Sequence, residues 1–425
     1  MPGYPLIESL RSNELTLPDY LAQVEARFME REPAILACLP EEGRFTRLHE
    51  DAEALVLSYP DLIKRPSLFG ALVGVKDIFH VEGFITQAGS RLPPEVLQGM
   101  QAESVTRLKE AGALILGKTV TTEFAYFFPG PTRNPHNSEH TPGGSSSGSA
   151  AAVAAGFCQL ALGTQTIGSI IRPAAFCGVV GFKPTYDRIS CKGVIPLSPS
   201  LDHVGFFTPD VDMAKRAASI LIGDWRLETT ERKPILGIPE GPYLDSASDY
   251  ARTCFNATCQ SLADAGYELR RVPVMAEFQE IRDRHDTIMS FEAAQVHADW
   301  FKKYESIYSP KFTDLIKRGQ SVSNLQSHLE ARDEFRASIT QTMTDNDIDL
   351  WICPPTIGPA PKGLESTGDP VMNLPWTQIG FPAVNLPTEK NAEGLPMGLQ
   401  LVGTWNADEA LLAWAEDIEK IVRKI

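Results

Sequence analysis

Apolar positions near the start of the chain recur at helical spacing. Leu17, Leu21, Val24 and Phe28 fall three and four residues apart, which predicts a helix with one buried face. Thr16 is placed to cap it, and Pro18 suits its first turn. The pattern then shortens into compact apolar runs at 70–75, 113–116 and 160–164, which read as buried strands. Residues 102–110 and 149–155 between them keep a helical character. Strand-like 234–238, helical 250–265 and strand-like 269–274 repeat the order. The long polar stretch 278–345 predicts a peripheral helical layer. Residues 349–353 resume a strand, and 407–422 close with an amphipathic helix. This alternation predicts an α/β protein whose sheet is covered by helices on both faces. With no internal repeat and no composition break, 1–425 reads as one domain, and 1–65 as its N-terminal helical segment.

Composition narrows the function classes. Of 425 residues, 43% are hydrophobic and 22% charged, ordinary values for a globular chain with a large core. Acidic residues outnumber basic ones 54 to 39, a formal net charge of -15 that argues against nucleic acid as a partner. Residues 1–12 lack the basic and apolar regions of a secretory signal, and no apolar run is long enough to span a bilayer, so no membrane partner is expected. Seven scattered cysteines contain no CxxC pair. That pattern suits neither a disulfide framework nor a zinc knuckle and fits a reducing cytoplasm.

The unusual stretch is 141–184, in which two Gly/Ser-rich turns bracket an alanine-rich helix and a short apolar strand. Serines in such turns are candidates for a nucleophile and its hydrogen-bonding partner, while Ser145 to Ser149 can equally cap the next helix. Two sharper motifs fail on context. Gly144-Ser145-Ser146-Ser147-Gly148 matches a nucleophile elbow, but the preceding residues carry Pro135 and Pro142 where the elbow needs a strand. His136-Asn137-Ser138-Glu139-His140 matches an inverted zinc-peptidase pattern, but the same prolines leave no room for the helix that would aim both histidines at one ion. No metal is expected.

The whole stretch resembles the amidase signature family, in a Gly-Gly-Ser-Ser turn, an alanine-rich helix, Leu160-Ala161-Leu162-Gly163-Thr164 and Phe176-Cys177-Gly178-Val179-Val180-Gly181. The resemblance extends to Gly74-Val75-Lys76-Asp77, Ala88-Gly89-Ser90, Ser200-Leu201-Asp202, Gly380-Phe381-Pro382-Ala383 and Leu395-Pro396-Met397-Gly398. It implies a mixed β-sheet core flanked by helices on both faces. It also implies a triad in which Ser169 is the nucleophile, Ser145 the bridging serine and Lys76 the base. Lysine serves as a base only when neutral, which needs desolvation or a nearby positive charge. Burial alone does not choose it, because Lys118 and Lys183 also end apolar runs.

By the same resemblance the backbone amides of Thr166, Ile167, Gly168 and Ser169 are the expected oxyanion donors, with Thr164 orienting the loop from behind. Gln165 and Ile167 stand where most members carry Asp and Gly, and Ile171 stands where most carry Arg, so the usual Asp–Arg pair is not available here. A malonamidase-like branch shares this arrangement, and there Arg172 would face a substrate carboxylate; the alternative is that Arg172 steadies the loop. Tyr126 and Phe127 line an acyl pocket or belong to the core. The resemblance implies a cofactor-free hydrolase of a small or medium amide, and it is compatible with a homodimer. The alternatives are the amidase component of a tRNA-dependent amidotransferase, or a member that cleaves carbamates, ureas or esters.

Overall fold

The computed structural model describes residues 3–228, 230 and 232–423; Met1, Pro2, Thr229, Glu231, Lys424 and Ile425, which fall within the 1–425 span expected of the domain, lie outside the described residues. The first predicted helix runs Leu17–Ile35, its cap Thr16 accepting a hydrogen bond from the amide of Asp19 at 3.3 Å. Leu17, Leu21, Val24 and Phe28 are all buried on its inner face.

Among the described residues ten strands form one sheet: β1 Leu72–Lys76, β2 Leu114–Thr119, β3 Leu160–Gln165, β4 Val180–Lys183, β5 His203–Thr208, β6 Leu236–Glu240, β7 Leu269–Pro273, β8 Leu350–Cys353, β9 Ala383–Lys390 and β10 Pro396–Val402. Their spatial order is β2-β1-β3-β5-β4-β9-β10-β8-β6-β7. The two ends of the sheet are parallel, β1 pairing with β2 and β3 and β6 with β7 and β8, and the middle is antiparallel. The sheet is therefore mixed, with helices on both faces. One layer includes Ser147–Ala154 and Ile171–Cys177; the other includes Val211–Leu221, Asp249–Asp264 and Asp408–Val422.

Strands β4, β5, β9 and β10 carry no clear periodic signal. The sheet centre is covered on both faces, so alternation vanishes, and buried Asn385 and Gln400 interrupt the apolar runs. Gln400 is satisfied at both ends, its Nε2 donating to the carbonyl of Met372 and its Oε1 accepting from Asn373, whereas Asn385 donates to the carbonyl of Val179 and its Oδ1 has no partner among the described residues. Within 278–345 the chain forms the helices Phe278–Val296, Ala298–Tyr304, Pro310–Gln320 and Leu325–Asp345. One contiguous apolar core runs from Leu6 to Val422.

Small residues set the distance between the alanine-rich helix and the sheet. Ala150, Ala151 and Ala152 are wholly buried. A Cβ at Gly148 would lie 2.1 Å from the carbonyl oxygen of Ala37 and 2.4 Å from the amide nitrogen of Val120, so only glycine fits there. This close approach delivers the turn before the helix to the carboxyl ends of β1 and β3.

Candidate active site

β1 and β3 are adjacent and parallel, with Val75 opposite Leu162, so their carboxyl ends open on the same edge. Open α/β sheets place their ligand sites at such ends. Lys76 is the last residue of β1, and Thr164 and Gln165 end β3. The Lys76 Nζ lies 2.7 Å from Ser145 Oγ and 2.8 Å from Thr164 Oγ1. Lys76 is wholly buried and forms no ion pair among the described residues. Burial holds its ammonium well below the usual lysine range, and the charge of Asp202 opposes that only in part. A neutral amine keeps a lone pair that can accept a proton from Ser145.

The other two lysines are occupied elsewhere. Lys118 forms a buried ion pair with Asp77 at 2.7 Å, and Lys183 donates to the carbonyl of Pro184 at 3.0 Å. Burial brings Lys183 down to about 7, with Asp408 pulling the other way, but it is not among the residues that line the pocket holding Ser145 and Ser169.

Ser145 follows a cis Gly144–Ser145 peptide bond and is buried. Ser169 precedes the helix Ile171–Cys177, and its hydroxyl makes no hydrogen bond among the described residues. At 8% exposure it is more open than Ser145 at 2% or Lys76 at 0%, the order expected for relay groups behind a reacting one. Both serines line one pocket with Tyr126, Phe127, Thr166, Ile167 and Arg172. Phe127, Ile167 and Pro370 also border an outer cleft whose far wall is the helix Phe278–Val296. Ser146, the central serine of the elbow-like motif, is wholly buried and tied to both the amide and the carbonyl of Thr164. Residues 136–140 form a turn, not a helix; His136 faces the carbonyl of Cys177, and His140 that of Ala360.

Gln165 occupies the place of the missing aspartate by other means. Its Oε1 accepts the amides of Ile170 at 2.8 Å and Ile171 at 3.0 Å, while its Nε2 donates to Thr377 Oγ1 at 2.9 Å. Thr166 Oγ1 donates to Asp202 at 2.5 Å; burial raises that carboxyl to about 6. The amides of Ile167, Gly168 and Ser169 have no acceptor among the described residues.

Arg172 lines the pocket, but its guanidinium is committed to the protein. Nη2 donates to the carbonyl of Gly144 at 2.6 Å and to Thr367 Oγ1 at 3.2 Å, and Nη1 donates to the carbonyl of Gly368. The side chain is buried, which lowers its pKa to about 10. These bonds support the loop-steadying alternative over a grip on a substrate carboxylate, because Nη2 already holds the turn that carries Ser145 and Nη1 the neighbouring loop at Gly368. Tyr126 accepts a hydrogen bond from Arg318 at 3.3 Å, and Phe127 stands between the inner pocket and the outer cleft.

The amidase family's model matches residues 44–412. The chain belongs to the amidase family. Among curated relatives, a glutamyl-tRNA(Gln) amidotransferase subunit of Syntrophobacter fumaroxidans (strain DSM 10017 / MPOB) is 30% identical, with 98% of this chain and 96% of that protein covered. A crystal structure of an amidase is 30% identical and superposes with a TM-score of 0.90 over 99% of this chain and 100% of that one. A vestigial complex linked to the origins of an s-triazine catabolic enzyme contains a chain 27% identical, with a TM-score of 0.86 over 99% of this chain and 98% of that one. As a member of this family the protein is an amide C–N hydrolase, and no helix among its described residues is long and apolar enough to cross a membrane.

His285, Asp202 and Thr377 all bond the loop 165–169. Asp202 falls in the Ser200-Leu201-Asp202 match, though with no role read from it, and Thr377 carries no motif signal. His285 leaves a trace in the sequence only as a polar residue on the apolar face formed by Ile281, Ile288 and Met289.

Proposed function

We propose that the protein cleaves an amide by transferring the acyl group to Ser169, with Ser145 and Lys76 as its proton relay. The observation that carries this is the buried, unpaired Lys76 amine in hydrogen-bonding contact with Ser145, beside a turn whose amides are free. Ser169 gives its proton to Ser145 Oγ as Ser145 gives its own to Lys76 Nζ, and Ser169 Oγ bonds the carbonyl carbon. The free amides of the 167–169 turn receive the charge on oxygen. The proton returns through Ser145 to the leaving nitrogen, the C–N bond breaks, and water hydrolyses the acyl-serine by the same relay. Tyr126 and Phe127 would pack the acyl group.

A second reading is favoured by the curated relatives. Several proteins that match at 29–31% identity carry the name of the same glutamyl-tRNA(Gln) amidotransferase component, which supports the amidotransferase alternative over a free-standing amidase. The shared chemistry is release of ammonia from a primary carboxamide. The test is ammonia release by the purified chain from glutamine and from simple amides, with fluorophosphonate labelling mapped by peptide. Labelling at Ser169, abolished in Ser169→Ala, supports the triad; an adduct on Ser146 overturns it. Turnover of simple amides by the chain alone supports the free-standing enzyme. Turnover of glutamine only when the other amidotransferase components are added supports the second reading.

A further inference from the structure

The turn 166–169 is held from behind at two successive carbonyls. His285 Nε2 lies 3.0 Å from the carbonyl oxygen of Thr166, and Thr377 Oγ1 donates to that of Ile167 at 2.5 Å. In each case the carbonyl belongs to the same peptide unit as the next residue's amide: Thr166 with Ile167 N–H, and Ile167 with Gly168 N–H. The only cis peptide bond among the described residues is Gly144–Ser145, so both of these units are trans and each N–H points away from the donor on its carbonyl. Those two N–H groups lack acceptors among the described residues, and Thr166, Ile167 and Ser169 line the pocket that holds Ser145.

We propose that His285 and Thr377 are positioning residues that aim and polarise the Ile167 and Gly168 amides at the developing oxyanion. This rests on the acyl-Ser169 reading above. A donor on a carbonyl draws electron density through the amide and makes its N–H a stronger donor, while fixing the plane of the peptide. His285 is suited to this. A ring nitrogen facing a carbonyl must carry the hydrogen, so Nε2 is protonated and Nδ1 is a bare nitrogen without a partner among the described residues. Burial lowers the ring to about 4, so it stays a neutral donor across ordinary working pH. Thr377 is itself oriented by Gln165 Nε2, and Gln165 Oε1 holds the amides of Ile170 and Ile171, so one side chain ties the backing of the turn to the start of the following helix. Asn373 Oδ1 fills the space behind Gly168, where a Cβ would approach it to 2.4 Å.

The experiment compares His285→Leu, His285→Gln, Thr377→Val and Thr377→Ser. The readouts are the rate of inactivation by a fluorophosphonate across pH and the affinity for a boronic acid that forms a tetrahedral serine adduct. Removing an oxyanion donor outright costs on the order of a hundred- to a thousand-fold, so losing its backing is expected to cost roughly ten- to a hundred-fold. The Leu and Val variants should lose that much in both readouts. The acid limb of the pH profile should stay where the wild type has it, and Gln and Ser should restore most of the loss. Folded Leu and Val variants with wild-type rate and boronate affinity overturn the proposal, as does a Gln variant no better than Leu. A wild-type protein labelled somewhere other than Ser169 overturns instead the acyl-Ser169 reading on which it rests.

Discussion

Replacing Lys76 by Met tests whether the buried amine is neutral, independently of any substrate. Met keeps the unbranched shape and removes the titrating nitrogen. In the folded chain burial holds the Lys76 pKa well below its ordinary value, whereas in the unfolded chain it sits near the reference of about 10.4. Between those two values the unfolded state binds one proton that the folded state does not, so stability rises with pH, by about 1.4 kcal/mol per unit. Above the unfolded value the contribution is level, and below the folded value it is level again, with the full cost of burying the ammonium expressed. Lys76→Met lacks this slope, while every other titrating group is common to both proteins and cancels in the difference. Between pH 8 and pH 10 the stability of the wild type should therefore rise with pH relative to the variant, by up to about 1.4 kcal/mol per unit where the window lies between the two pKa values. Urea unfolding at half-unit pH steps measures it. Lost contacts to Ser145 and Thr164 shift the two curves by a constant and leave the slope difference intact. Parallel curves across that range would mean that Lys76 stays charged in the folded protein, and the relay would have to be abandoned. The same variant should lose turnover and rapid acylation, and wild-type activity should fall on the acid side as Lys76 gains a proton.

Gly168→Ala should cripple turnover, because its Cβ would meet Asn373 Oδ1 at 2.4 Å and displace the turn; thermal melting should show a stability loss of about 1–3 kcal/mol. Arg172→Met should reduce activity towards acidic and neutral amides alike, since it removes the donors to the carbonyls of Gly144 and Gly368; a selective rise in KM for carboxylate-bearing substrates would restore the substrate-binding role.

Much of the fold is readable from local pattern. The helix Leu17–Ile35 shows its cap and its apolar stripe, and β1, β2, β3 and β8 appear as short apolar runs because each lies within covered sheet. The central strands are different. β4 shows only as the apolar run that Lys183 ends, and β9 and β10 carry buried amides that interrupt their apolar runs, so no period of two marks them. Their order in the sheet follows from long-range pairing, which no local window contains.

The site divides in the same way. Residues close in sequence to the Gly/Ser-rich turns, Ser145, Thr164 and Ser169, are marked by that unusual segment, and the family pattern singles out Lys76 among three lysines that end apolar runs. Burial alone could not separate them, because Lys118 and Lys183 are buried too. What separates them is the company each keeps: Asp77 beside Lys118, the Pro184 carbonyl beside Lys183, and two hydroxyls beside Lys76. Arg172 shows the limit most plainly. Its place three residues after Ser169 puts it at the pocket, but only the packed loops 144 and 367–368 decide that its two terminal nitrogens bond the carbonyls of Gly144 and Gly368 and the hydroxyl of Thr367. His285 and Thr377, more than a hundred residues from the turn they hold, enter the site through tertiary packing alone, since a hydrogen bond between distant segments exists only once the chain has closed on itself.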